Sequence, residues 1–288
     1  IDHVYYGIRR FIIGLAKKVL IANTLGGVAD EIFMQPVSAV ETSIAWLGAV
    51  SYTLQIYYDF SGYSDMAIGL GAIFGFKFLE NFNYPYISKS IGEYWHRWHI
   101  SLGTWIKNYL YIPLGGSHCS KLRCYFNIFI SFTCIGLWHG ASWTFCTTGI
   151  YYAFFIILES QLKLSQRTFG LMGSFFQHIY VLIVTVFGLV RFRSETMTDF
   201  FVYSKNMLGF VFHENILYRW IHYCDWGHII ILGIAIMCSM PIFRNILYWG
   251  SKNWIFKIGV DVWLIGLLGL SVMQLAVSTY NPFIYFRF

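Results

Sequence analysis

Charged residues are scarce in this chain of 288 residues. Asp, Glu, Lys and Arg make up 12% of it, against about 25% in soluble domains. Apolar residues make up 57% and aromatic residues 20%. This composition excludes an ordinary soluble fold. It is typical of a membrane-spanning protein, because a bilayer core about 30 Å thick is crossed by about 20 mostly apolar residues of helix.

Other features are also missing from the chain: a clustered basic block, a CxxC pair, an internal repeat, a low-complexity linker and a visible signal peptide. The net charge of +6 comes from scattered residues and pairs that flank apolar runs, such as Arg9-Arg10 and Lys17-Lys18. These residues are predicted to anchor spans at headgroup level, and nucleic-acid binding has no support. The six cysteines predict neither a disulfide nor a structural zinc site.

Uncharged runs of membrane-spanning length recur along the sequence, and together they predict about seven spans. The run at Tyr125–Leu158 is long enough for two crossings. Asp59 separates two further runs, which predicts that the second of these is tilted or broken. The uncharged runs are Thr42–Tyr58, Tyr125–Leu158, Thr168–Val190, Trp226–Phe243 and Val262–Phe286, and the further run Phe60–Phe76 is interrupted only by Asp65.

Two segments have a mixed character. Tyr5–Phe33 carries both basic pairs among apolar residues, which predicts a helix that lies at or enters the membrane interface. Lys77–Arg123 is too polar for a lipid-facing span and too aromatic for a solvated loop, so we expect interfacial or re-entrant helices there. Pro113–Ser117 predicts a sharp turn. The chain begins at Ile1 in what resembles the middle of a protein, so we expect preceding helices to be missing.

His139 is the most conspicuous ionisable residue, because no charged residue lies between Arg123 and Glu159. Ionisable groups at membrane depth are costly and usually face a cavity or a partner, which makes His139 a functional candidate. The alternative is a neutral imidazole that is hydrogen-bonded within a helix bundle. Trp138 and Trp143 are placed to wall a cavity beside it.

A second group of polar residues contains His96 and His99, which would share a face if they lay on one helix. An HxxH pair supplies two metal ligands, but no third ligand is nearby, so we predict no metal site. His99 is better suited to orient or polarise a reactant alongside His139. His96 is interpreted as an interfacial residue.

A third group contains Asp59 and Asp65, six positions apart. Two carboxylates at this spacing need not share a helical face, so a paired acid/base mechanism is not indicated. One of them is expected to accept a hydrogen bond from a histidine or an arginine. The alternative is that they cap a helix at the break, since Asp is a favoured cap.

Taken together, these groups resemble the membrane-bound O-acyltransferase (MBOAT) family, and within it the branch of the alginate O-acetylation proteins. The resemblance runs in order along nearly the whole chain. Three positions depart from the family pattern: His96 replaces a common arginine, Asn108 an expected Asp, and Tyr152-Ala153 a usual His-Gly. The matching segments are Tyr58–Gly69, Asn81–Tyr86, Arg97–Leu102, Tyr109–Gly116, Leu137–Trp143 and Asn281–Phe286.

The resemblance implies an all-α, polytopic helical bundle with interfacial or re-entrant helices around a central tunnel. Residues 1–288 would form a single transmembrane domain that lacks its N-terminal helices. The family's essential histidine falls on His139, and its other recurrent histidine falls on His99. Residues expected to contact substrate or line the tunnel are Asp59, Tyr63, Asp65, Arg97, Trp98, Trp138 and Trp143.

The implied reaction is the transfer of an acyl group, first of all acetyl, onto hydroxyls of an exported polysaccharide such as alginate. The resemblance predicts no bound cofactor or metal; acetyl-CoA or another activated acyl compound would be the co-substrate. Expected partners are the lipid bilayer and the polysaccharide or a periplasmic or extracellular acetyltransferase. The expected location is the bacterial cytoplasmic (inner) membrane, with several crossings.

A mechanism follows from the chemistry of the groups. Burial favours a neutral imidazole, so His139 is expected to act as the base that accepts the hydroxyl proton. His99, the Trp138 indole or backbone N–H groups would then stabilise the oxyanion. Three alternatives stay open: D-alanyl transfer to teichoic acid within the family, a proton-coupled membrane transporter, and an inactive truncated chain.

Overall fold

The computed structural model describes residues 2–163, 170–210, 220–223, 225–242 and 254–277; their regular secondary structure is helical, with no strand among them. The all-α prediction is thus confirmed. The helices are α1 (Asp2–Ala16), α2 (Asn23–Phe33), α3 (Thr42–Ile73), α4 (Ile91–Arg97), α5 (Ile100–Ile106), α6 (Lys121–His139), α7 (Trp143–Leu162), α8 (Leu171–Arg193), α9 (Met197–Met207), α10 (Trp220–Tyr223), α11 (Trp226–Cys238) and α12 (Trp254–Val277).

Four helical segments of the described chain are long and apolar enough to cross a membrane: Asp2–Phe33, α7, α8 and α12. The first of them contains α1 and α2 with a π-helical turn between them, and it was predicted to lie at or enter the interface. Helix α11 is apolar but shorter, with 13 residues. The run at Tyr125–Leu158 forms two helices, α6 and α7, as predicted. Residues 168–169, 243 and 278–286 of the predicted spans lie outside the described residues, as does the matching segment at 281–286.

Helix α3 is continuous over 32 residues, so the predicted break at Asp59 is wrong. Asp59 is buried in the middle of the helix and is paired with Lys18, which removes the cost of an isolated charge there. The alternative that Asp59 caps a helix is also wrong, since α3 begins at Thr42 and ends at Ile73.

The described residues form two compact units. One comprises the residues up to Glu80 and the described residues from Gly209 onward, and the other comprises Asn81–Leu208. The prediction that residues 1–288 form a single transmembrane domain stays a prediction.

Paired glycines hold α1 against α3 in the first unit. A β-carbon built at Gly7 would lie 2.5 Å from the carbonyl oxygen of Gly69, and one at Gly14 would lie 2.6 Å from that of Gly62. Gly7 and Gly14 are seven residues apart in α1, and their partners Gly69 and Gly62 are seven residues apart in α3 but follow in the reverse order. The two helices are therefore antiparallel and in close backbone contact, as is usual where small residues face each other between membrane helices.

The basic pairs near the start of the chain bind carboxylates, which corrects their interpretation as headgroup anchors. The π-helical turn Lys17–Ala22 follows α1, and its first lysine donates to Asp65 at 2.7 Å while Lys18 pairs with Asp59. Arg10 donates to Asp65 at 2.7 Å and to Glu80. The expectation that one aspartate accepts from an arginine is confirmed for Asp65.

The second unit is built around the antiparallel hairpin of α6 and α7, with α8 packed against α7. The region Lys77–Arg123 contains the short helices α4 and α5, a 3₁₀ turn at Pro85–Ile87 and a π-helical turn at Lys107–Tyr111. The predicted sharp turn at Pro113–Ser117 is confirmed. Gly115 and Gly116 have φ of +113° and +55°, which few other residues adopt.

Candidate active site

His99 lies at the junction of α4 and α5. Its backbone has φ 47° and ψ 54°, a left-handed conformation that costs a non-glycine residue about 1–2 kcal/mol. Strain of this kind is often found at functional sites. His96 and His99 do not lie on one helix and so share no helical face, because α4 ends at Arg97 and contains only His96, which is exposed.

Backbone pairing with a non-helical segment holds this histidine from both sides. The N–H of Asn83 donates to the carbonyl of Arg97 at 2.9 Å, and the N–H of Ile100 donates to the carbonyl of Asn81 at 3.0 Å. The side-chain oxygen of Asn81 also accepts from the N–H of Ser101 at 3.1 Å and from its hydroxyl at 3.0 Å. The segment Asn81–Asn83 therefore fixes the entry to α5.

His139 is the last residue of α6 and is half-buried. The chain then turns through Gly140–Ser142 into α7, where the Ser142 hydroxyl accepts from the N–H of Phe145 at 3.4 Å. Phe192 of α8 meets the imidazole edge-on, with ring centroids 5.2 Å apart. The ring thus stands at the turn end of the α6–α7 hairpin, with aromatic contact on one side.

Trp138 connects the two histidines. Its ring centroid is 5.9 Å from that of His99 and 5.0 Å from that of His139. Burial, together with the nearby His139, lowers the pKa of His99 to about 3. His99 is therefore neutral near pH 7, and a neutral imidazole donates from one nitrogen and accepts at the other. The structure thus brings the two predicted catalytic residues to one indole.

The other predicted site residues of the second unit have different surroundings. Arg97 pairs with Glu93 at 2.8 Å and donates to the carbonyl of Asn83 at 3.0 Å. Trp98 is buried, with its ring 5.7 Å from that of Tyr94. Trp143 is 79% exposed at the start of α7. A role for these three in lining a tunnel stays a prediction.

Asp59, Tyr63 and Asp65 belong to α3 in the first unit. Both carboxylates are buried and already hold cations, Lys18 for Asp59 and Lys17 with Arg10 for Asp65. Tyr63 is 49% exposed. Their role as substrate or tunnel residues stays a prediction.

Two residues in the second unit were not singled out from the sequence. Glu159 is a buried carboxylate on α7 whose oxygens bind the first turn of α4, and Asn81 binds the first turn of α5. Glu159 stands alone at the end of a long uncharged run, which was the available signal. Asn81 had only its place in a matching segment, with no indication of its contacts.

The described part of the chain holds no group of three or more His, Cys, Asp and Glu side chains that could bind a metal ion. The groups that the described residues bring together at the site are the two imidazoles, the Trp138 indole and nearby backbone N–H groups.

Comparison with known proteins gives related acyltransferases. A protein named "Probable alginate O-acetylase AlgI" from Azotobacter vinelandii is 44% identical over 68% of this chain and 39% of its own length. The protein of the same name from Pseudomonas putida is 34% identical over 100% of this chain and 62% of its own length. A peptidoglycan O-acetyltransferase from Helicobacter pylori is 36% identical over 72% of this chain and 39% of its own length.

The chain thus spans between 39% and 62% of the length of these relatives. The model of the membrane-bound O-acyltransferase family matches residues 2–202, which contain both histidines and the whole second unit up to that point. Together with the apolar helices, this match makes the protein a membrane protein. The chain belongs to the membrane-bound O-acyltransferase (MBOAT) family.

Proposed function

We propose that the full-length protein transfers an acyl group, in the first instance acetyl, onto hydroxyls of an exported polysaccharide such as alginate. The observation that carries the proposal is the contact of both His99 and His139 with the ring of Trp138. The names of the relatives support the reaction class, since two of them name O-acetylation of alginate and the third names O-acetyl transfer to peptidoglycan.

His139 is assigned the role of the base. A sugar hydroxyl is a poor nucleophile near neutral pH, so its proton must be removed as the oxygen attacks the acyl carbonyl. The imidazole takes this proton and passes it to the leaving group when the bond between the acyl carbon and its donor breaks. His139 suits this role because it stands half-buried at a helix end, where a substrate can approach.

His99 is assigned the role of polarising the acyl carbonyl, with the Trp138 indole N–H as a further donor. Negative charge develops on the carbonyl oxygen during attack, and a fixed donor stabilises it. Removal of one such donor typically costs about 2.7–4 kcal/mol in the transition state. The rigid backbone around His99 favours this role, because a preorganised donor needs no rearrangement during the reaction.

The co-substrate in this proposal is acetyl-CoA or another activated acyl compound. The acceptor is the polysaccharide itself or a periplasmic or extracellular acetyltransferase that hands the group on. The protein would lie in the bacterial cytoplasmic membrane, with a tunnel through the bundle for donor and acceptor. D-Alanyl transfer to teichoic acid is the alternative within the family. The amino-acid sequences of Ile112–Gly116 and Gly140–Trp143 favour O-acetylation.

The test is His139→Ala in the full-length protein, with ester-linked acetate on exported polysaccharide measured at equal membrane abundance. We expect acetylation to be lost. His96→Ala is the matched control, because this histidine is exposed on α4, and it should leave acetylation unchanged. Unchanged acetylation in His139→Ala would overturn the assignment. Ester-linked D-alanine in place of acetate in the wild type would favour D-alanyl transfer to teichoic acid.

A further inference from the structure

Helix α4 delivers His99 at its C-terminal end, and its N-terminal end rests on one carboxylate from α7. Glu159 Oε1 accepts from the N–H of Ile91 at 2.6 Å, and Oε2 accepts from the N–H of Gly92 at 3.2 Å. The first N–H groups of a helix have no partner within it and carry the positive end of its dipole. A carboxylate is therefore the favoured partner at this position.

Glu159 is 4% exposed, on a helix that is apolar enough to cross a membrane. No lysine, arginine or histidine forms an ion pair with it among the described residues. A buried carboxylate is costly unless hydrogen bonds compensate for the lost water. The two N–H groups of α4 supply this compensation, so the carboxylate and the helix end hold each other in place.

The contact extends along both helices. Tyr152, two turns before Glu159 on α7, stacks on Tyr94 with ring centroids 6.4 Å apart and meets Trp95 edge-on at 5.0 Å. Helix α7 also packs tightly against α6, which ends at His139. Helix α7 therefore supports both histidines. It holds α4, which leads to His99, through Glu159, and it holds α6, which ends at His139, through the α6–α7 hairpin.

We propose that Glu159 is a positioning residue that sets the distance between His99 and His139 by anchoring α4 to α7. The proposal rests on the proposed acyl transfer for its kinetic consequences, but the anchoring itself is independent of the reaction. Glu159 contacts backbone N–H groups rather than either imidazole. Its effect on catalysis is transmitted by the short, seven-residue helix between Ile91 and Arg97.

The test is Glu159→Gln in the full-length protein. The amide has one acceptor oxygen for two N–H groups, and its NH₂ faces the second of them. We expect kcat to fall by about ten- to a hundredfold, because a misplacement of about 1 Å at a reacting group can lower the rate by about a hundredfold, with KM for donor and acceptor unchanged. Glu195→Gln is the control, because it removes the same charge from an exposed loop position and should leave kcat unchanged.

A double-mutant cycle separates positioning from general damage. If Glu159 acts through His99, then Glu159→Gln has no further effect on kcat in a His99→Ala background. Losses that multiply in the double variant would overturn the proposal. Should Glu159→Gln reduce membrane abundance, Glu159→Asp replaces it, since it keeps the charge but withdraws the carboxylate by one methylene group. The expected result is again a lower kcat, and a wild-type kcat contradicts the proposal.

Amide hydrogen exchange tests the anchor without any assay of activity. The N–H groups of Ile91 and Gly92 should exchange faster in Glu159→Gln than in wild type, while those of α8 should not change. Unchanged exchange overturns the role of Glu159 and leaves the proposed function intact. Faster exchange combined with unaffected acetylation in His139→Ala means that the proposed function fails and the anchor stands.

Discussion

Replacement of Gly149 by alanine should impair catalysis more than it impairs stability. Gly149 lies on α7 where it crosses α6, and a β-carbon there would overlap the carbonyl oxygen of Phe132 and lie 2.9 Å from the carbonyl carbon. Non-bonded carbon atoms settle at about 3.5–4.0 Å, so α6 has to withdraw by about 1 Å. His139 is on α6, seven residues after Phe132, and has to move with it.

The magnitudes follow from this geometry. Overpacking of a tight contact costs about 1–3 kcal/mol, and alanine in place of glycine inside a helix returns about 1 kcal/mol. The net loss of unfolding free energy is therefore about 0–2 kcal/mol. A misplacement of about 1 Å at a reacting group can lower the rate by about a hundredfold. Catalysis is the more sensitive of the two quantities.

The assay compares kcat for acyl transfer with thermal unfolding in detergent, on full-length protein. Gly266→Ala in α12 is the matched control, because nothing lies within 4 Å of a β-carbon at that position. This control should keep its kcat and unfold at the same or a higher temperature. A wild-type kcat in Gly149→Ala would refute the claim that the glycine contact fixes His139.

Two further predictions concern other parts of the chain. Lys18→Met leaves the buried Asp59 without the Lys18 ammonium group and should lower the free energy of unfolding by about 3–5 kcal/mol. A double variant with Asp59→Leu should recover most of the loss when thermal unfolding is measured in the same detergent. An unfolding temperature for Lys18→Met equal to that of the wild type contradicts this prediction. The Sγ atoms of Cys119 and Cys124 are 3.1 Å apart, so a mild thiol oxidant should protect both from alkylation together; peptide mapping that finds both alkylated after oxidation contradicts this.

The helical architecture and the two histidines could be predicted because each leaves a local trace in the sequence. An apolar run with one imidazole identifies His139 without any knowledge of its neighbours. The length of the Tyr125–Leu158 run likewise indicates two helices. Such patterns are set by residues close together in the chain, where the hydrophobic effect and turn chemistry act.

The continuity of α3 could not be predicted, because the reason for it lies far away in the chain. Asp59 is tolerated inside a buried helix since Lys18, 41 residues earlier, neutralises it. The same holds for Glu159, whose partners at Ile91 and Gly92 are 68 and 67 residues away. A charge in an apolar run therefore indicates that a partner exists, but it does not indicate which residue the partner is.

His99 shows why such a site retains its strain. The end of α4 calls for a left-handed residue, which glycine or asparagine would supply at lower cost. A histidine stands there instead, at φ 47°, and backbone pairing with Asn81 and Asn83 holds it in that conformation. Tyr84, next in the same segment, is also left-handed, at φ 48°. Left-handed backbone at two non-glycine residues lowers the stability of the fold, and strain that persists in this way is typical of functional sites. The imidazole of His99 fits this pattern, because it is held against Trp138, whose ring also contacts His139.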